Sequence, residues 1–370
     1  MDNLEKGLVI GVSVLVVLGL VNAFTALSMD SKLDTKIVQL KEAARAPSIS
    51  LTTISADCPQ CADISPMIDT IKNSHVNVSE ERQLDAKDAS ALIAKYGINH
   101  LPAIIIEGQI DKVSVQNFES VEGGLLYQAA AAPYYNVRTK KVEGLVEAWV
   151  LEAGCEKCVD MQDIIDAFTV QGVAFSKVSK LNQQDSQATQ LIAAHKITRL
   201  PALIYSDDIS AYPDILVAME QGGFVKSGDY HVYESRVPYY NMSAGKVQGL
   251  VDVIYLSDAT CTECYDVAIH KQILERFGMV LGSEKTVDVS SSEGKGLVAK
   301  YSLTSIPAVI VGGDVALYGG FDQVWSSVGT IENGNYVFRN NGVFLPQFAY
   351  KNLTTGEVVK QEAAETEATA

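Results

Sequence analysis

One unit occurs three times along this chain of 370 residues. A Cys-x-x-Cys pair is followed, 44 or 46 residues after its first cysteine, by a proline-alanine dipeptide that follows an aliphatic residue. The three copies contain Cys58 and Cys61 with Pro102, Cys155 and Cys158 with Pro201, and Cys261 and Cys264 with Pro307. These pairs use all 6 cysteines. Self-similarity at a fixed period indicates one duplicated structural unit, so the fold must be one that a repeat of about 100 residues can build.

Each copy repeats the same order of predicted elements. An apolar run leads into the cysteines, a helical stretch and a short strand follow, and a second helix such as 89–96 precedes the proline and a last strand. The apolar runs are 51–54, 145–151 and 250–256, and the strands after the prolines are 104–106, 203–205 and 309–311. The cysteines are therefore predicted to lie where the first strand ends and its helix begins.

This pattern resembles the thioredoxin family, three times over. The segments from Tyr96 to Pro102 and from Tyr301 to Pro307 are similar to the family's approach to its proline, and Pro66 falls where thioredoxins kink the active-site helix. The resemblance implies a cis peptide bond before Pro102, Pro201 and Pro307, and implies that these prolines hold substrate backbone beside the cysteines. The predicted fold class is α/β, with three tandem thioredoxin-like folds, each a central mixed sheet flanked by helices, after an N-terminal transmembrane helix.

The cysteine pairs predict thiol–disulfide exchange. That reaction needs a thiolate that attacks and a second thiol that resolves the mixed disulfide. A Cys-x-x-Cys at a helix start supplies both, because unpaired N–H groups and the helix dipole stabilise the first thiolate. The predicted attacking thiols are Cys58, Cys155 and Cys261, and the predicted resolving thiols are Cys61, Cys158 and Cys264. The chemistry requires no metal or organic cofactor, and its expected partners are protein thiols or disulfides and a redox partner.

Two family features are missing from all three sites. Asp57, Gly154 and Thr260 replace the tryptophan before the first cysteine, and Thr52, Trp149 and Tyr255 replace the buried acid six residues before it. Glu147 and Asp252 lie near the positions of the missing acids. Because they are at the open end of a strand, we expect their side chains to be solvated. Fast general reductase activity is therefore not implied by the resemblance.

Residues between and near the cysteines tune the predicted redox couple. Glu156 and Glu263 place negative charge beside a thiolate, which raises the pKa of the thiol and favours the disulfide. His100 and Arg199, each two residues before a proline, are candidates to lean toward the cysteines and offset this effect. The three sites are thus predicted to differ in potential.

Three other interpretations of the pairs remain open. Structural zinc usually takes two pairs 15 to 20 residues apart, whereas these are separated by roughly 100. A non-catalytic client-binding or scaffold protein with stable structural disulfides is the first rival, which buried and unreactive cysteines would favour. A soft-metal chaperone is the second, and the scarcity of Met and His near the pairs counts against it.

The acidic composition limits the partners. With a formal net charge of -16 and a pI near 4.7, the chain offers no basic patch to neutralise phosphates, so a nucleic-acid partner is not expected. An acidic surface more often serves solubility than binding to a specific cationic partner.

The N-terminal segment predicts a membrane anchor. Residues 7–27 carry no charge and are long enough to span a bilayer as one helix, and 28–46 continue as a helical stalk. A cleaved signal peptide is the alternative, which the acidic flank and the length of the apolar run disfavour. A count of flanking positive charges favours a cytoplasmic domain, but analogy with membrane-tethered thioredoxin-like proteins places the large C-terminal part outside the cytoplasm.

The copies are joined by a second repeated motif. Pro-Tyr-Tyr-Asn begins at Pro133 and at Pro238, and each time Lys-Val-x-Gly-Leu-Val follows. The predicted domains are 47–136, 137–240 and 241–358, and the acidic tail 361–370 is predicted to be disordered. Asn333-Gly334 between alternating aromatic residues predicts a β-hairpin that finishes a sheet.

Overall fold

The structure is a computed structural model, and it describes residues 36–37, 40–41, 45–344 and 348–360. The predicted transmembrane helix, most of the stalk and the predicted disordered tail lie outside these residues. Within the described ranges, no helix is both long and apolar enough to cross a membrane.

The first copy has eight strands and two helices. They are β1 (Ser48–Ser55), α1 (Ser65–Asn73), β2 (Asn77–Asp85), α2 (Ser90–Tyr96), β3 (His100–Leu101), β4 (Ala103–Gly108), a 3-10 turn (Ile110–Lys112), β5 (Glu119–Val121), β6 (Gly124–Gln128), β7 (Tyr134–Asn136) and β8 (Lys141–Glu143).

The second copy repeats this order with one more helix. Its elements are β9 (Leu145–Glu152), α3 (Met161–Val170), β10 (Ala174–Asn182), α4 (Ser186–His195), β11 (Arg199–Leu200), β12 (Ala202–Ser206), a 3-10 turn (Asp207–Ala211), α5 (Pro213–Gly222), β13 (Val225–Ser227), β14 (Tyr230–Glu234), β15 (Tyr239–Asn241) and β16 (Lys246–Gln248).

The third copy follows the same plan. Its elements are β17 (Leu250–Ser257), α6 (Ile269–Arg276), β18 (Val280–Asp288), α7 (Ser292–Lys300), β19 (Ser305–Ile306), β20 (Ala308–Gly313), a 3-10 turn (Val315–Leu317), α8 (Phe321–Trp325), β21 (Gly329–Glu332), β22 (Asn335–Phe338), α9 (Asn341–Phe344), β23 (Tyr350–Asn352) and β24 (Val358–Val359).

A five-stranded mixed sheet forms the centre of every copy. Its order is β2-β1-β4-β6-β5 in the first copy, β10-β9-β12-β14-β13 in the second and β18-β17-β20-β22-β21 in the third. The first two strands of each sheet are parallel and the remaining neighbours are antiparallel. The predicted strand–helix–strand order and the predicted strands after the prolines are confirmed. The predicted hairpin around Asn333-Gly334 is confirmed as well, by the pairing of β21 with β22.

Both faces of the central sheet are buried. In β4, Ile104 and Ile106 pack with Ile71 of α1, whereas Ile105 on the opposite face packs with Ile93 of α2. Because neighbouring residues of a strand point to opposite faces, a sheet covered on both sides needs an uninterrupted apolar strand. This explains why the runs after the prolines show no polar alternation.

A small three-stranded sheet, which the sequence analysis did not predict, accompanies each copy. Its strands are β3-β7-β8, β11-β15-β16 and β19-β23-β24. In the first two copies, the Tyr-Tyr-Asn and Lys-Val motifs, interpreted above as a junction, form its second and third strands. Asn136 turns the chain between them, because its side-chain oxygen accepts hydrogen bonds from the N–H groups of Arg138 and Thr139.

The described residues divide into two compact units, one that ends at residue 143 and one that begins at residue 144. The first unit contains the first copy, and the second contains the other two. The domain bounds given above remain predictions.

Copies two and three meet closely at Gly249. Val237 packs against the core of the third copy, and Gly249 has a φ of +91°. A Cβ at this position would lie 2.9 Å from both the Cα of Pro238 and the Cβ of Val237. The junction inside the second unit therefore leaves no room for a side chain.

Gly249→Ala should lower the free energy of unfolding by about 2 kcal/mol, because it adds a steric collision to a strained left-handed backbone. Gly228→Ala is the matched control, since Gly228 has a φ of +63° with open space around it and should cost about 1 kcal/mol. Urea denaturation of both variants measures the difference. Equal losses would contradict the close contact.

Candidate functional site

Each cysteine pair forms a closed disulfide at the end of the first central strand of its copy. The Cα atoms of the paired cysteines are 5.3, 5.3 and 5.4 Å apart. In every pair the N–H of the second cysteine donates to the carbonyl oxygen of the first, at 3.1, 3.2 and 3.3 Å. All six cysteines are partly exposed, so exchange partners can reach them.

The cysteines do not sit at a helix start, and here the sequence prediction is wrong. Helices α1, α3 and α6 begin four, three and five residues after the second cysteine. Each copy has an aspartate two residues beyond that cysteine. Asp63 accepts a hydrogen bond from the N–H of Ser65 at 2.9 Å, and Asp160 and Asp266 accept the equivalent bonds at 2.8 and 2.9 Å. Of the three, Asp160 is the N-cap of its helix, whereas Asp63 and Asp266 each close a turn before theirs. The pair therefore lies in a turn ahead of the helix, and the dipole stabilises the first thiolate less.

These aspartates were missed by the sequence analysis. The signal is present in the sequence, because all three copies extend the motif to Cys-x-x-Cys-x-Asp. An aspartate shortly before a helical run is a helix-start signal.

The three prolines lie where the resemblance implied. The bonds preceding Pro102, Pro201 and Pro307 are cis, and each proline lines the same cavity as the cysteines of its copy. The residue before each proline is paired with the chain's own strand, Leu101 with Tyr135 being the first example. The backbone of the residue before each proline is therefore already paired with a strand of the same copy.

The cavities beside the disulfides differ in size and charge. Their volumes are about 140, 440 and 370 Å³ in the first, second and third copy. Glu152 and Lys180 line the second cavity. In the third, Glu284 accepts hydrogen bonds from Lys271 at 2.7 Å and from Tyr255 at 3.3 Å. The first cavity is the smallest of the three.

Residues 348–360, which we call the C-terminal strap, contact the third pair on one side. The N–H of Tyr265 donates to the carbonyl of Ala349 at 3.0 Å. Cys264 itself forms an isolated parallel β-bridge with Ala349. Lys351 forms an ion pair of 2.7 Å with Asp258, whose side chain is only 7% exposed. The Lys351 ammonium lowers the pKa of this carboxyl below its ordinary value, with a further contribution from Thr260. The strap is thus anchored directly on the loop that carries the third pair.

A second ion pair holds the end of the strap. Lys360 lies 2.5 Å from the carboxylate of Glu263, between the two cysteines, and both side chains are more than half exposed. The negative charge of Glu263, expected to favour the disulfide, has a positive neighbour here. Exposed pairs of this kind contribute about 1 kcal/mol or less.

A buried polar cluster lies behind the third pair. The hydroxyl of Tyr265 is 2.9 Å from Nε2 of His270 and 2.8 Å from Oδ1 of Asn341. The Asn341 amide donates to the carbonyl of Pro307 and to the hydroxyl of Ser305, at 3.0 Å each. Burial lowers the pKa of His270 to about 4, so this imidazole is neutral at pH 7. The cluster fixes the cis-proline loop to the start of α6 without adding charge.

The other residues singled out in the sequence contact groups away from the cysteines. His100 stacks on Tyr134 with ring centroids 3.8 Å apart and bonds to the carbonyl of Ala129. The Arg199 guanidinium lies 5.3 Å from the ring centroid of Tyr239. Glu147 and Asp252 are exposed, as expected. In the described part of the chain, no group of three or more His, Cys, Asp or Glu side chains could hold a metal ion.

The same fold and the same site geometry recur in all three copies. The chain carries three thioredoxin-like units, each with a Cys-x-x-Cys disulfide after the first central strand and a cis-proline before the antiparallel strand beside it. This assignment rests on the topology and the site geometry.

Comparisons with known proteins add similarity at the level of solved structures only. No family model and no curated protein matches the chain. A protein disulfide oxidoreductase from Aeropyrum pernix is 15% identical over 46% of this chain and 77% of its own, with a TM-score of 0.15. ERdj5 is 15% identical over 72% of this chain and 38% of its own, also at 0.15. Human ERp44 is 12% identical over 83% of both chains, again at 0.15. Scores this low support no conclusion about activity.

Proposed function

We propose that this chain is a thiol–disulfide oxidoreductase that exchanges disulfides with protein substrates through its three Cys-x-x-Cys sites. One observation carries the proposal: each disulfide is partly exposed and shares a cavity with a cis-proline, in all three copies. A stable disulfide with a purely structural role would need neither the proline nor the cavity.

The exchange balances in two steps. A client thiolate attacks Sγ of the first cysteine, for example Cys155, the intramolecular S–S bond breaks, and Cys158 leaves as a thiolate. A second client thiolate then attacks the mixed disulfide, releasing Cys155 and leaving the client with a new disulfide. In the opposite direction the reduced pair attacks a client disulfide, and the second cysteine resolves the intermediate. The pair accepts both electrons in the first direction and supplies both in the opposite one, so the exchange with the client needs no cofactor.

The residues of each site favour the disulfide form. The first cysteine lies ahead of its helix, and Glu156 and Glu263 add negative charge near two of the pairs. The first feature removes a stabilisation of the thiolate, and the charge of Glu156 disfavours it further, whereas the charge of Glu263 is matched by Lys360. A less stable thiolate makes the disulfide a weaker oxidant, which favours reductase or isomerase roles for copies two and three.

The strap on the third disulfide favours a second candidate for that copy. A pair whose second cysteine is held by its own chain suits a stable disulfide in a client-binding or scaffold unit. The oxidoreductase proposal therefore rests first on the first and second pairs.

We also propose that residues 7–27 anchor the chain in a membrane, with the large C-terminal part outside the cytoplasm. The uncharged length of the segment supports the anchor. The extracytoplasmic location rests on analogy with membrane-tethered thioredoxin-like proteins.

A redox titration tests the proposed function. The full chain, purified in a mild detergent, is equilibrated in glutathione and dithiothreitol buffers, and alkylation of each pair is read by mass. Reversible titration of the first two pairs between about -120 and -270 mV is the expected result. Pairs that all stay oxidised well below about -300 mV, with thiols that resist alkylation, would establish the scaffold function instead.

A further inference from the structure

A groove of about 390 Å³ lies between the second and third copies, inside one compact unit. From the second copy it is lined by Arg199, Arg236 and Tyr239. From the third copy it is lined by Phe277 and by the segment 317–319. The volume falls within the range of ordinary ligand pockets.

The groove is positively charged on an otherwise acidic chain. Two guanidinium groups line it, and none of its lining residues is an aspartate or glutamate. Arg236 is exposed and uses one Nη2 contact, 3.3 Å from the carbonyl of Gly222. Arg199 is 3.6 Å from Glu234, which matches part of its charge. Arginine presents a planar set of donors that suits carboxylates, so the groove complements an acidic ligand.

The opposite wall of the groove is apolar and exposed. Phe277 and Leu317 are 43% and 42% exposed although both are large hydrophobic residues. Phe277 makes an edge-on contact with the buried Phe321, so its ring is supported from behind. Arginine and aromatic residues around a partly apolar hollow are typical of the centre of a protein interface.

The groove is close to the second disulfide along the chain. Arg199 lies in β11, two residues before Pro201, which lines the cavity of Cys155 and Cys158. Two extended residues span at most about 7 Å. The third copy is also held at this site, because Lys157, between the two cysteines, donates to the carbonyl of Leu281 at 2.6 Å. A client chain in the groove would therefore lie beside the short strand that leads to the proline of the second cavity.

We propose that this groove docks an extended protein segment in which an aromatic or aliphatic side chain lies next to aspartate or glutamate, and that it selects clients for Cys155–Cys158. The apolar side chain packs on Phe277 and Leu317, and the carboxylate binds Arg236 and Arg199. Docking of the segment does not depend on the proposed function, whereas the selection of clients rests on it.

Binding of a cysteine-free peptide tests docking of the segment separately from redox activity. The probe is a short fluorescein-labelled peptide with alternating Asp and Phe at its centre, and the matched peptide has Lys for each Asp. Fluorescence anisotropy with the full chain in detergent should show at least about tenfold tighter binding of the acidic peptide. Arg236→Glu and Phe277→Ser should each weaken this binding about tenfold or more.

The control variant makes the same charge change elsewhere. Arg138→Glu alters an exposed arginine of the first copy and should leave the affinity within about twofold. An unchanged redox titration of Cys155–Cys158 shows that each variant is folded. Equal binding of both peptides, or equal effects of Arg236→Glu and Arg138→Glu, would overturn the proposal. So would a dimer of the wild-type chain that Arg236→Glu dissociates, since the groove would then be an interface between copies of this chain.

Discussion

Replacing Lys351 with methionine should accelerate the reduction of Cys261–Cys264 by about tenfold. The substitution removes the positive partner of Asp258, whose side chain is almost completely buried. Leaving a buried carboxylate without its cation costs several kcal/mol when both partners are fully buried, and less here because Lys351 is 24% exposed. A loss of about 1.4 kcal/mol in strap docking raises the open population tenfold. Timed reduction by dithiothreitol with mass-resolved alkylation measures the rate, and Cys58–Cys61 in the same molecule is the internal reference.

Lys360→Met is the matched control for this experiment. It removes the other lysine of the strap, but its ion pair with Glu263 is exposed on both sides. Its effect on the rate should stay within about twofold. If Lys351→Met leaves the rate of the third pair unchanged, the strap does not limit access to that disulfide.

The third copy should lose stability in mildly acidic solution because of His270. In the unfolded chain this histidine binds a proton near pH 6.5, whereas burial lowers its pKa to about 4 in the folded state. The unfolded state therefore binds more protons between these values, and stability rises with pH across the window. The contribution is complete above about pH 6.5, and about 3 kcal/mol is lost as the pH falls to about 4.

Trp325 allows the third copy to be observed by itself. The chain has 2 tryptophans, and Trp325 lies in the core of the third copy, so a Trp149→Phe background reports its unfolding by fluorescence. Urea unfolding at pH 7 and pH 4.5 is compared with the same measurement on His270→Gln, which cannot titrate. The His270→Gln chain should lose less stability on acidification. The same loss in both chains would assign the acid sensitivity to carboxylates elsewhere.

The sequence predicted the repeated architecture because its strongest signals are local. A cysteine pair, an apolar run and a proline at constant spacing locate the first strand, the site and the last central strands. The central sheets and the cis bonds before Pro102, Pro201 and Pro307 agree with that prediction. Strands buried on both faces leave continuous apolar runs, which are easy to recognise.

The small sheets and the strap were not predictable in the same way. A strand of three residues such as Tyr134–Asn136 has too few positions for periodicity to reveal, and its partner β3 has only two. Their pairing depends on contacts between residues far apart in sequence. The cluster around Tyr265, His270 and Asn341 depends on such contacts too, since Asn341 lies 76 residues beyond Tyr265.

The placement of the small sheets has a consequence for how the chain can be divided. In the first copy, β8 ends at Glu143 and β9 of the next copy begins at Leu145, so the strands that complete one site lead directly into the following one. A fragment that stops at residue 136 keeps β7 but loses the strand paired with it. Single-copy fragments should therefore be cut after residues 143 and 248, where each carries its complete pair of sheets. A duplication of this gene segment between those points would insert a whole structural copy, with both of its sheets, its disulfide and its cis-proline.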